Sequence, residues 1–357
     1  MMLQEDNRMK TIIGINRNKK VTNEYACNKH ILATGMSGAG KSTAIRNCAV
    51  QQITMNRKIL QINYHGDESI RNFISETEIS YKRIDVSKTG IPVHLFSSFE
   101  GEQEDNKTII NRTVSLLSKT VDLTFFQRNA VQKAIESILE NHNSLCQGIE
   151  AVRRSLEEQH TTGAKQAIEK LYPFFDSNVL YEGNMFDDKY NIIEIDLNGF
   201  EYDFQNILMN FLMDYIFRLA EKGMFREQGL TLMIDEVQNL TYKPNSPINL
   251  LLNESRKHNV QLLMATPSLN KRGMEVLTQC GMCLFFKPIA KDTKKVAEMI
   301  DAKDVKRYSQ RLSVLKKGEF LAVGGFNNKI NHDEPKRLST YFPQKISKST
   351  TKMDISV

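Results

Sequence analysis

The stretch Gly35-Met36-Ser37-Gly38-Ala39-Gly40-Lys41-Ser42 constrains this chain more than any other, because it fits G-x-x-x-x-G-K-[ST]. Such a loop works only between a buried strand and the start of a helix. Glycines let its backbone wrap a pyrophosphate with successive N–H groups aimed at the anion. Both flanks suit that setting. Lys29–Thr34 is a short apolar run that reads as a buried strand, and Ala44, Ile45, Cys48, Ala49 and Ile53 recur at helical spacing. There Lys41 reaches the β- and γ-phosphates, the Ser42 hydroxyl ligates Mg²⁺, and the helix adds its positive dipole end. Gly35 through Thr43 form the candidate nucleotide-binding set.

The rest of the pattern predicts what surrounds that loop. Apolar, β-branched runs of strand length recur at Thr11–Ile15, His30–Thr34, Lys58–Asn63, Asn191–Asp196, Leu230–Asp235, Val260–Thr266, Met282–Phe286 and Glu319–Val323. Helical periodicity fills Ser42–Met55, Asp203–Glu221, Ser246–His258 and Asp292–Ile300. Strands alternating with helices predict an α/β protein whose mostly parallel sheet carries helices on both faces. From about Glu102 to Phe175 no strand is evident, and Thr108–Ser118, Phe125–Glu140 and Ala164–Leu171 read as helices. The expected organisation is a first part of the core over 1–101, an all-helical insertion over 102–182, a second part over 183–335, and a flexible basic tail over 336–357 rich in Lys, Ser and Thr.

Composition excludes some settings. The 357 residues leave room for one large α/β domain with an insertion, and 40% hydrophobic with 25% charged residues fit a globular protein. No apolar run approaches the length of a membrane span, and the polar first residues do not read as a signal peptide. Five scattered cysteines suit a reducing compartment, so a cytoplasmic location is expected. Cys280-Gly-Met-Cys283 lacks a second ligand pair at metal-site spacing and opens an apolar run, so it reads as the start of a core strand. A net charge of +6 permits contact with nucleic acid without arguing for it.

A P-loop needs a carboxylate at the end of a core strand, and Leu230-Thr-Leu-Met-Ile-Asp235-Glu236 supplies it. Asp235 emerges where ligands of open α/β sheets bind, and would hold Mg²⁺ through water. Glu236, one residue on, suits a base that orients and deprotonates a water for attack on the γ-phosphate. That pair favours ATP hydrolysis over transfer to a metabolite. Arg256 has two readings: a cation at a helix C-terminus near the sheet's ligand edge, or an arginine finger completing a neighbouring subunit's site. Thr266, ending the next strand, likewise reads as a γ-phosphate sensor or as a satisfied strand-end hydroxyl.

With these residues collected, the chain resembles the HerA/FtsK superfamily of P-loop ATPases. Asn28-Lys-His-Ile-Leu32 looks like that family's lead-in to its P-loop, and Gln61-Ile-Asn-Tyr-His-Gly-Asp67 resembles its D-P-H-G-E turn. Ile234-Asp-Glu-Val-Gln-Asn-Leu240 looks like its D-E-A-Q/H-x-L Walker B strand, and Ser255-Arg-Lys-His258 resembles its G-R-K element. The resemblance spans about Thr11 to Phe286 and implies a RecA-like (ASCE) fold, ATP and Mg²⁺ as cofactors, and a hexameric ring in which Arg256 acts in trans. Two positions depart from the pattern. Lys29 stands where an Arg is common, so it would meet a phosphate as a point charge and not bidentately. Pro267 stands where the family often has its sensor Gln, which leaves Thr266 or Gln279 as the substitute. Little length remains for the accessory domains of larger relatives, so a bare motor domain is expected.

Three loads suit such a motor. Double-stranded DNA would be tracked by Lys and Arg on pore loops without sequence reading. A secretion or conjugation channel component would be driven through docking, with no membrane span in the motor itself. A nuclease or other defence effector would be assembled and licensed by nucleotide. A GTPase is disfavoured because no Asn-Lys-x-Asp motif occurs, and a small-molecule kinase by Glu236 and the lack of an evident lid.

Overall fold

Strands whose every position is apolar can only be buried on both faces, and that is how the centre of this fold is built. A computed structural model describes residues 10–24, 30–66, 70–74, 79–99, 102–140, 148–176, 179–240, 246–267, 276, 278–324 and 335–341. Its strands are β1 (Lys10–Asn16), β2 (Lys19–Glu24), β3 (Ile31–Thr34), β4 (Lys58–Asn63), β5 (Tyr81–Asp85), β6 (Ile91–Val93), β7 (Leu180–Glu182), β8 (Ile192–Asp196), β9 (Leu230–Ile234), β10 (Val260–Thr266), β11 (Met282–Phe286), β12 (Glu319–Gly324) and β13 (Lys336–Thr340). Among the described residues, 11 of them form one sheet in the order β2-β1-β13-β12-β11-β3-β10-β9-β4-β8-β5. From β5 to β11 every pairing is parallel, and β3, β4, β8, β9, β10 and β11 are buried along their whole length.

This order places β10 between β3, which leads into the P-loop, and β9, which ends at Asp235. Register aligns Thr34 with Thr266 and Ile234 with Met264, so the C-terminal ends of all three open on one edge of the sheet. Helix α1 (Lys41–Ile53) leaves the P-loop and packs across β1, β3, β4, β9 and β10. It is buried nearly all round, so its polar residues need partners. Gln51 bonds the backbone of Ile12 in both directions at 2.8 and 2.9 Å, Gln52 bonds Thr11 at 2.5 Å, and Asn47 bonds the Tyr341 carbonyl.

The antiparallel extension corrects the expected tail. Lys336–Thr340 is not solvated chain but β13, lying between β12 and β1. Only Leu338 and Thr340 are buried, on alternate positions, while Arg337 points out to an ion pair with Glu319 at 2.6 Å. A half-buried strand needs no more than that alternation, which composition hides. Residues 342–357 lie outside the described residues. Two further strands absent from the sequence pattern, β2 and β5, are the outer edges of the sheet, where charged side chains are the rule.

Helices α2 (Val86–Thr89), α3 (Asn106–Val121), α4 (Phe125–Glu140), α5 (Ile149–Glu158) and α6 (Thr162–Asp176) follow before the core resumes. The segment containing α3 to α6 is entered and left through a small parallel pair, β6 and β7, so its last residues, 180–182, are strand and not helix. Helix α7 (Tyr202–Glu221) joins this segment to the sheet. The Tyr215 hydroxyl accepts from the His94 backbone at 3.0 Å, Arg218 donates to Ser115 at 3.0 Å, and Leu117, Phe174, Phe211 and Leu232 belong to one continuous hydrophobic core. Helix α8 (Pro247–Glu254) packs on α7, and α9 (Thr293–Ile300) and α10 (Val305–Ser313) pack on each other, with their buried residues in the same core.

Candidate functional site

The P-loop is held in shape by backbone bonds from both sides. Met36 N donates to Lys287 O at 2.9 Å just past β11, and Gly318 N, in the turn before β12, donates to Ala39 O at 2.9 Å. Two of its glycines are obligatory. Gly35 has φ 149 and a Cβ there would stand 2.7 Å from Phe286 Cβ; Gly40 has φ 106 and lies against Gly318. Lys41 is buried to 7% exposure and curls back, its ammonium donating to the Met36 carbonyl at 3.0 Å. A lysine held at the loop's rim in this way is poised over the anion cradle.

The second half of the site arrives on β9. Asp235 follows the strand, and the Ser42 hydroxyl hydrogen-bonds its carboxylate. Arg46, one turn further along α1 and almost fully buried, stands 3.8 Å from the same carboxylate. Asp235 is 27% exposed, and that exposure faces the cleft. Burial pushes its carboxyl up, against the Ser42 hydrogen bond and the nearby Arg46, which favour the charged form. The two residues expected to share Mg²⁺ are therefore in contact. A hydroxyl beside a carboxylate suits this hard cation, which takes its remaining ligands from phosphate and water. Among the described residues no three His, Cys, Asp or Glu side chains cluster to hold a metal.

Glu236 adopts φ 61, ψ 42, a left-handed conformation uncommon outside glycine. It turns the chain from β9 into a 3₁₀ turn, Val237–Asn239, whose Val237 is fully buried. Its carboxylate accepts from the Gln238 amide, and the Gln238 carbonyl in turn accepts from the Thr266 hydroxyl at 3.0 Å. Thr266 is fully buried and meets the site through that amide.

These groups line a cleft of about 300 Å³. Ser37, Gly38, Gly40, Lys41, Ser42 and Thr43 form one wall, and Asp235 and Glu236 form another. Arg46, Tyr64, His65 and Lys317 complete it. Of these four, Tyr64 and His65 follow β4 in the turn singled out in the sequence, where the Asn63 carbonyl group of the side chain accepts from the His65 and Gly66 amides at 3.3 Å. Arg46 had a signal in its i+4 spacing from Ser42. Lys317 had none, because it comes from the distant turn clamped to Ala39.

Other expected members are elsewhere. Arg256 is exposed in a 3₁₀ turn, Ser255–His258, at the N-terminal end of β10, so it is at the opposite edge of the sheet from its own P-loop and not near the ligand edge. Gln279 precedes β11, which is also parallel to β3, and so lies on that far edge too. Lys29 lies outside the described residues. Arg46, Lys41 and Lys317 leave the cleft cationic around a Ser–Asp–Glu set, an arrangement that can bind a nucleoside triphosphate with its metal and place a carboxylate beside the terminal phosphate.

No family model and no curated protein matches the chain. Solved structures do. VirB4 of Thermoanaerobacter pseudethanolicus superposes with a TM-score of 0.66 at 14% identity, covering 95% of this chain and 98% of VirB4. The plasmid coupling protein TrwB in complex with a non-hydrolysable ATP analogue superposes with a TM-score of 0.65 at 14% identity, covering 96% of this chain and 91% of TrwB. The chain has the RecA-like P-loop fold of these structures. TrwB in complex with ADP and Mg²⁺ superposes at 0.60 with 13% identity, over 90% of this chain and 88% of TrwB. The RecA-like likeness thus extends over nearly the whole chain. No helix among the described residues is long and apolar enough to cross a membrane.

Proposed function

We propose that this chain is a Mg²⁺-dependent ATP hydrolase working in a homo-oligomeric ring, with double-stranded DNA as the load it moves. The observation that carries the reading is the Ser42–Asp235 contact beside Glu236, opposite the P-loop across one cleft. Backbone N–H groups of residues 35 to 43 wrap the phosphates, and Lys41 exchanges the Met36 carbonyl for a β- or γ-phosphate oxygen. Ser42 and Asp235 would hold Mg²⁺, which would supply positive charge against the charge developing on the phosphate oxygens. Glu236 takes the proton of the attacking water, and Lys317 adds a cation at the P-loop rim. Nucleotide-bound forms of TrwB support the choice of ligand. Extension of the likeness over 98% of the solved VirB4 chain supports a second load, a component of secretion or conjugation machinery.

The test measures ATP turnover with and without duplex DNA, with particle size recorded on the same sample. Stimulation by DNA in a sample of ring size is expected. Turnover indifferent to DNA moves the load to a protein partner, and a persistent monomer with ATP present overturns the ring. Lys41→Ala should lose nucleotide binding, whereas Glu236→Gln should bind ATP and lose turnover by a factor of about 10² or more. Wild-type turnover in Glu236→Gln would remove its role as base.

A further inference from the structure

At the sensor position the sequence offers Pro267, which has neither a backbone N–H nor a polar side chain. The structure supplies a polar group there from another element. Thr266 ends β10 in register with Thr34, the residue before the P-loop, so the end of β10 lies directly beside the entry to that loop. That hydroxyl donates to Gln238 Oε1, and Gln238 Nε2 donates to Glu236 Oε2. The amide has one workable orientation. Turning it over would face its carbonyl to the carboxylate and its N–H₂ to the hydroxyl, losing the charge-assisted bond. Donation therefore runs in one direction, from the strand end through the amide to the carboxylate. A glutamine suits the middle position, because it orients Glu236 without competing for its proton.

We propose that Gln238 is the positioning residue of this site, fixing Glu236 and tying it to Thr266 at the end of β10; this rests on the reading of Glu236 as the base. A movement of the end of β10 beside the P-loop that draws the Thr266 hydroxyl away releases the Gln238 carbonyl and so changes the hold on Glu236. The strand end then reports the nucleotide's state to the base without touching it.

The experiment is a double-mutant cycle on ATP turnover and nucleotide affinity, the latter read with a fluorescent ATP analogue. Gln238→Leu and Thr266→Val should each lower kcat by about tenfold, the scale of one hydrogen bond, while leaving nucleotide affinity within about twofold. The double variant should be no slower than the worse single variant, because both remove one relay. Thr266→Ser, which keeps the hydroxyl, should restore turnover. Should Gln238→Leu not fold, Gln238→Met keeps the side-chain length and carries the same comparison. Additive losses in the double variant, or normal kcat in the Gln238 variant, overturn the relay. Those outcomes differ from failure of the underlying reading, which shows as an inactive wild type or as a Glu236→Gln variant that still turns over.

Discussion

Glu236 holds a backbone conformation that a glutamate adopts at a cost of about 1–2 kcal/mol. Its side chain is then fastened to Gln238, so the local strain is matched by a specific role for the side chain. Glu236→Gly should therefore raise stability toward urea by about 1 kcal/mol while hydrolysis is lost. A stability loss instead would mean the carboxylate contributes more to folding than its backbone withholds. At this scale the sequence is readable where the chemistry is contiguous. The P-loop and Asp235-Glu236 are neighbours in the chain, so their spacing alone announces them. Gln238 is visible in the sequence as a letter of a motif, but its partner Thr266 is 28 positions away and meets it only because β10 lies beside β9. Lys317 and Arg256 show the two sides of the same limit. One enters the cleft from a distant turn, and the other leaves it because a parallel strand carries its two ends to opposite edges.

Among the elements, β3 is short and is anchored before it begins. The His30 Nδ1 accepts from Leu262 N of β10 at 3.0 Å, and the His30 carbonyl accepts from Met282 N of β11 at 3.2 Å. Burial drives the imidazole's pKa from 6.5 to about 4, with the backbone bond to Leu252 opposing. The folded chain thus refuses a proton that the unfolded chain accepts. Stability is full above pH 6.5 and falls as pH drops through this window to 4, by about 3 kcal/mol. Urea unfolding at several pH values should show that slope, and His30→Asn, which keeps an acceptor that does not titrate, should flatten it. Arg57 plays a similar part at the same N-terminal edge of the central strands, before β4. Fully buried, it donates to Thr231, to Leu230 O at 2.6 Å, and to both the side chain and the carbonyl of Asn259. Arg57→Leu should cost about 3 kcal/mol in the same assay, because buried acceptors lose their donor. The internal strands were legible because burial on both faces demands a mostly apolar run. The edge strands β2 and β5 were not, because an edge tolerates charge, and β13 was not, because it is buried only on alternate positions. The helices of the inserted segment were legible for the most part by their period. Its fusion with α7 into one core depends on contacts that no local pattern carries.

At the scale of the whole molecule, Arg256 and the cleft stand on opposite edges of one sheet. Arg256 is separated from its own P-loop by the length of β10, seven residues or about 23 Å of strand. No side chain spans that distance, so Arg256 can act only on the γ-phosphate of another copy of the chain. Cyclic symmetry gives it a way to do so: in a head-to-tail ring every subunit can present one surface to the next, and the same contact repeats until the ring closes. The far edge of one sheet then faces the ligand edge of its neighbour. This arrangement can be separated from a purely structural role for Arg256 by mixing two inactive variants. Arg256→Ala keeps its own Glu236, and Glu236→Gln keeps its own Arg256. Where a subunit of the first kind is followed by one of the second in the right order, the junction holds both groups and is whole. Random assembly of equal amounts makes about a quarter of the junctions whole, so the mixture should recover up to about a quarter of wild-type ATP turnover while either variant alone stays inactive. Recovery should peak at equal amounts and vanish when the two variants are prevented from exchanging subunits. An arginine that served only its own subunit would give no recovery at any ratio, and that result would leave the far-edge cation without a part in the chemistry.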